Sequence, residues 1–132
     1  MIVDSSAILA IVFGEPTATG LLRAIAEAPS VGIGAPTLVE TGMVLTSRLG
    51  PEGRAVLARW SQQVGLEILA FDAQHHGVAL DAFRRFGKGR HPAALNFGDC
   101  LTYAVAQVAR EPLLCVGDDF PRTDAALVAT AG

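Results

Sequence analysis

Six acidic positions in this chain stand where acids are unexpected. Asp4 ends the apolar run Met1-Ile2-Val3, and Asp72 ends the apolar stretch Leu66–Phe71. Glu40 lies about one turn into a segment that opens at Pro36, and Asp99 stands three residues after Asn96. Asp118 and Asp119 follow the apolar Leu113–Val116. Each has an ordinary explanation. Asp4 and Asp72 suit helix N-caps, Asp99 complements a helix dipole, and the Asp118-Asp119 pair suits a turn. Several carboxylates converging on one edge would instead repel one another, and burial would raise their pKa values. A hard divalent cation such as Mg²⁺ or Mn²⁺ resolves that conflict with oxygen ligands. Bound to carboxylates, it neutralises phosphate charge and activates water, which points to phosphate chemistry. No His or Cys groups stand at zinc spacing. His75 and His76 are adjacent, so on a helix they point about 100° apart, and both are expected at the surface.

The elements that must position these acids alternate between strand-like and helix-like. Met1–Asp4, Val31–Ala35, Leu66–Phe71 and Leu113–Val116 are short apolar strands. Helices are expected over Ser5–Phe13, Thr17–Ala28, Glu52–Val64 and Ala73–Phe86, with Gly14-Glu15-Pro16 and Pro29 as breaks. Another starts at Pro36, carries Leu38, Leu45 and Leu49 as its stripe, and closes at Gly50-Pro51. The last runs from an Asn96 cap to Arg110, with Phe97, Leu101, Ala104, Val105 and Val108 facing inward. Strands separated by helices imply crossovers, and hence a mainly parallel sheet covered on both faces. The expected fold is a three-layer α/β/α sandwich in one domain over residues 1–132, with the strand order left open. Ligands of such sheets bind beyond the carboxyl ends of the strands, where Asp4, Glu40, Asp72, Asp118 and Asp119 fall. Asp99 joins them only if its helix enters from that side.

The bulk composition bounds the rest. With 51% apolar and 17% charged residues, the chain is globular. Its net charge of −3 gives no general attraction to nucleic acid. Four of the ten basic residues, Arg84, Arg85, Lys88 and Arg90, nevertheless fall within seven positions, and His91 follows. Lys88 and Arg90, on the flexible glycine loop Gly87–Pro92, suit contact with a polyanionic backbone. No signal peptide is visible and no apolar stretch approaches membrane-spanning length. Cys100 and Cys115 suit reduced thiols, so a soluble, cytoplasmic protein is expected.

Four segments together resemble a known family. I-V-D-S-S-A-I is similar to the opening motif of PIN-domain ribonucleases, P-T-L-V-E-T to their second acidic motif, L-N-F-G-D-C to the third and V-G-D-D-F to the fourth. They occur in the family's order and cover nearly the whole chain. G-K-G-R-H-P-A-A-L-N-F-G-D-C resembles the VapC toxins of bacterial toxin–antitoxin pairs in particular. The resemblance implies a Mg²⁺- or Mn²⁺-dependent endoribonuclease that leaves 5′-phosphate and 3′-hydroxyl ends. It implies a metal site of Asp4, Glu40, Asp99 and one acid of the last pair. Asp119 is favoured because it stands directly before Phe120, with Asp118 assisting or shaping the turn. Ser6 would bond to the acidic cluster, and Asn96 would cap the helix that presents Asp99. A VapB-type antitoxin and a homodimer are the implied partners.

Rival readings fit less well. A haloacid-dehalogenase-like phosphatase needs a second Asp where this chain has Ser6, and a receiver domain needs a Lys after the last strand. A PIN-like domain that binds RNA or a protein partner without cleaving is the alternative from another class, and the intact acid set argues against it.

Overall fold

The computed structural model describes residues 1–130. Four parallel strands, β1 (Ile2–Val3), β2 (Gly32–Gly34), β3 (Glu67–Leu69) and β4 (Leu113–Leu114), form one sheet in the order β3-β2-β1-β4. Register is fixed by Ile2 opposite both Gly32 and Leu113, and by Ile33 opposite Ile68. The first two strands are joined through α1 (Ser5–Val12) and α2 (Ala18–Glu27). β2 runs directly into α3 (Ala35–Leu49), followed by α4 (Glu52–Val64). α5 (Ala73–Phe86) and α6 (Phe97–Ala109) lie between β3 and β4.

Side chains alternate across the sheet, as the period of two in a strand requires. Val3, Ile33 and Leu114 pack with Ile8, Leu21, Leu45, Leu57 and Trp60 on one face. Ile2 and Leu113 pack with Phe86, Leu95, Tyr103 and Val105 on the other. The three-layer sandwich expected from the sequence is therefore present. Gly34 lets the layers close, because a Cβ there would stand 2.7 Å from Val105 Cγ2.

Four local expectations are corrected. β3 is not buried on both faces: it is the sheet edge, and Ile68 is 56% exposed. His75 is not a surface residue: it is buried against Phe71, and its ring completes a capping box with Asp72. The capping reading of Asp72 is the one observed. Phe97 does not face inward. As the first residue of α6 it borders an apolar hollow between α3, α5 and α6, and it is 81% exposed. The Gly87–Pro92 loop is tied rather than flexible. Leu95 bridges to Gly87, and the amides of Arg90 and His91 both donate to the Gly87 carbonyl.

Candidate metal centre at the carboxyl edge of the sheet

β1 delivers Asp4 at its carboxyl end, where the aspartate also caps α1 by accepting the Ser6 amide at 3.1 Å. The cap and ligand readings of Asp4 are thus compatible. Because β2 feeds α3 without a loop, Glu40 arrives in the second turn of that helix at the same edge. β4 is parallel to β1, so α6, which leads into it, must begin at the carboxyl edge. This satisfies the condition on Asp99. Asn96 and Asp99 form a reciprocal box: the Asp99 amide donates to Asn96 Oδ1 at 2.9 Å, and the Asn96 amide donates to Asp99 Oδ2 at 3.1 Å. Asp119 stands at the start of the 3-10 turn Phe120–Arg122.

These elements enclose a cleft of about 280 Å³, lined by Asp4, Glu40, Asp99 and Asp119 together with Ser5, Ser6 and Asn96. Asp4 is buried at the base, Asp99 is half-buried, and Glu40 and Asp119 stand at the rim. Asp118 is exposed and does not line the cleft. Lys88 and Arg90 do not line it either; Arg90 lies over the Phe83 ring, 5.3 Å from its centroid.

Hydroxyls hold the acids in place. Ser6 Oγ donates to Asp4 Oδ2 at 2.6 Å while accepting the Val116 amide at 3.0 Å, so it ties the end of β1 to the segment after β4. Thr102 Oγ1 donates to the other oxygen, Asp4 Oδ1, at 2.9 Å. Ser5 Oγ reaches Glu40 Oε1 at 3.1 Å, which accounts for the first serine of the pair. Gly98 flanks Glu40 so closely that a Cβ there would land on the carboxylate.

The electrostatics are strained. Burial pushes the Asp99 carboxyl up to about 6, and the charges of Asp4, Asp119 and Glu40 push the same way against the Asn96 hydrogen bond. The half-buried Cys115 thiol is raised to about 11, by burial first and then by Asp4, Asp99 and Asp119. Among the described residues, none of the four acids forms an ion pair, and no basic side chain lines the cleft. Nor do any three described His, Cys, Asp or Glu side chains already close around one point. The fit to a hard cation is thus one of donor type, charge and shared cleft: oxygen ligands, uncompensated negative charge, and no competing cation.

The PIN domain family matches residues 1–126. Ribonuclease VapC36 of Mycobacterium tuberculosis is 52% identical over 125 residues, covering 94% of this chain and 90% of that protein. The chain belongs to the VapC ribonucleases of the PIN family. Among solved structures, M. tuberculosis VapC20, described as a Sarcin-Ricin loop cleaving toxin, superposes with a TM-score of 0.77 at 21% identity. That match covers 96% of this chain and 97% of VapC20. A toxin–antitoxin complex from Klebsiella pneumoniae gives a TM-score of 0.72 at 16% identity, covering 96% and 95%. These two structures share the fold of this PIN domain.

In this PIN domain, sequence reasoning missed Thr102 and Thr37, the hydroxyls behind Asp4. Thr102 falls three residues after Asp99 on a helix, and that spacing was the only available signal.

Proposed function

We propose that this PIN domain is an endoribonuclease, the toxin of a type II toxin–antitoxin pair, and that it cleaves RNA phosphodiester bonds with Mg²⁺ or Mn²⁺. Membership of the VapC ribonuclease family supports the activity. The observation that carries the metal reading is the convergence of four carboxylates from four elements, with Asp99 pushed to about 6 by burial and by the other three.

Asp4 and Asp99 would be the direct ligands of the ion, with Glu40 and Asp119 completing the set or orienting the attacking water. When bound, the cation neutralises phosphate charge and activates that water. The chain's own residues set the stage. Ser6 fixes one oxygen of Asp4, and Asn96 holds one oxygen of Asp99 while leaving the other free. Ser5 steadies Glu40 at the rim. Asp118 would assist Asp119 or shape the turn that carries it. Lys88 and Arg90, on the tied loop before Asn96, would contact the RNA backbone outside the cleft.

A VapB-type antitoxin is the proposed partner, and a homodimer the proposed assembly. Val39, Met43, Leu80 and Phe97 are exposed around the hollow beside Glu40, which supports coverage of this face by a protein. Among the described residues, no helix is long and apolar enough to cross a membrane.

The test is cleavage of mixed tRNA and ribosomal RNA by the purified chain with Mn²⁺, with Mg²⁺ and with EDTA. Cleavage is expected only with added metal, and Asp4→Asn or Asp99→Asn should lower it by at least a hundredfold, roughly the scale of losing metal positioning. Undiminished cleavage in EDTA, or by either variant, sinks the proposal.

A further inference from the structure

Three threonine hydroxyls lie in a buried row behind the cleft. Thr41 Oγ1 donates to the Thr37 carbonyl at 2.8 Å, the Thr37 and Thr102 hydroxyls meet at 3.1 Å, and Thr102 Oγ1 donates to Asp4 Oδ1 at 2.9 Å. None of the three is more than 3% exposed. The Thr41 bond is the common return of a helical threonine to the carbonyl four residues back. The other two are not local: they join residues 65 and 98 positions apart, and so link α3, α6 and β1. A valine has the same shape and would be buried at Thr37 or Thr102 without needing a hydrogen-bond partner.

The protons can be counted. Thr102 has one hydroxyl proton, and it goes to Asp4. In its contact with Thr37 it must therefore accept, so Thr37 donates. The row runs one way, from α3 through α6 to β1, and the Thr102 rotor is locked at both ends. Ser6 approaches the other oxygen of Asp4 with two donors. Three donors on two sides thus fix the plane of the carboxylate. Thr102 also stands one turn beyond Asp99 on α6, so a single helix presents one acid and holds the other.

We infer that Thr102 is a positioning residue that sets Asp4 relative to Asp99, and that Thr37 acts through it by committing the Thr102 proton to Asp4. This rests on the reading of Asp4 and Asp99 as the ligands of a divalent cation. Neither threonine lines the acidic cleft, so neither touches substrate there.

The experiment is Mn²⁺ binding by calorimetry to the full chain, with folding checked by circular dichroism, for the wild type and for Thr102→Val, Thr102→Ser, Thr37→Val and Asp4→Asn. Thr102→Val should weaken Mn²⁺ binding by about 10- to 100-fold, the usual effect of removing a hydrogen bond behind a ligand. Cleavage should then half-saturate at correspondingly higher Mn²⁺. Thr102→Ser keeps the hydroxyl and should recover most of both. A Thr102→Val protein that binds Mn²⁺ like the wild type, while Asp4→Asn does not, overturns the positioning role alone. Undiminished binding by Asp4→Asn overturns the metal reading and this inference with it. If Thr102→Val does not fold, Thr37→Val carries the test, since it leaves the bond to Asp4 but unlocks the rotor. Weaker Mn²⁺ binding by that variant supports the inference, and unchanged binding overturns it.

Discussion

The Asp99 carboxyl is where the cost of the site is concentrated. Its pKa stands near 6, against an ordinary 3.8, because it is half-buried and faces three other acids. The folded chain therefore holds this proton more tightly than the unfolded chain does. Its contribution to stability is intact below pH 4 and is lost as pH climbs to about 6, which is the sign that linkage requires for a raised carboxyl. In EDTA, melting temperatures should therefore show a loss between pH 4 and pH 6.5 that Asp99→Asn reduces. Superimposable pH profiles for the two proteins would remove the argument. A cation competes with the same proton, so Mn²⁺ affinity should rise with pH up to about 6 and then level off.

At the scale of elements, the site depends on how closely α6 approaches α3. Gly98 occupies the second position of α6 and has ordinary helical geometry, so alanine is intrinsically better there, by about 1 kcal/mol. The obstacle is Glu40, whose carboxylate occupies the place a Cβ would take. That carboxylate is the far end of a flexible, exposed side chain, so it can swing aside cheaply. Gly98→Ala should therefore leave urea stability unchanged or slightly raised, yet reduce cleavage by roughly tenfold or more through displaced Glu40. Wild-type turnover in this variant would show that the placement of Glu40 is immaterial. Boundaries of this kind explain which parts of the fold were legible. Asn96 and Asp99 could be read because a helix N-cap and its first turn form a local signal four residues long. So could the strand–helix alternation that placed Asp4 and Asp119 at one edge. Phe97 and His75 could not, since helical spacing says which residues share a stripe but not where the stripe runs out of neighbours. Thr102 could not be assigned because its acceptor is 98 residues away in sequence.

For the whole molecule, the order β3-β2-β1-β4 puts Asp4 on an inner strand, flanked by β2 and β4, the strands whose ends lead towards Glu40 and Asp119. β4 is only two residues long, and its far side depends on the C-terminal segment. The Leu113 amide donates to the Ala126 carbonyl and the Leu113 carbonyl accepts the Val128 amide, both at 2.8 Å. Asp124 fastens that segment to the rest: Tyr103 donates to Oδ1 at 2.6 Å and Arg85 to Oδ2 at 2.8 Å. Burial and the Asp124 contact hold the Tyr103 hydroxyl up to about 12, so it stays a donor across the accessible pH range. The segment is also tied to the turn that carries Asp119, because the Ala125 amide donates to Thr123 Oγ1 and that hydroxyl donates to the Phe120 carbonyl, while Phe120 itself is buried in the α5–α6 core. A chain ending at Thr123 would lose these two backbone hydrogen bonds and both bonds to Asp124, each worth about 0.5–1.5 kcal/mol, and would uncover Leu113. Urea unfolding of that shortened chain should show a loss of roughly 4–9 kcal/mol, the sum of those four bonds and the exposed leucine. Cleavage should fall further than the folded fraction accounts for, because Asp119 loses its support. An unchanged midpoint together with full activity would mean that β4 needs no partner on its outer side, and that the Asp119 turn is held by Phe120 alone.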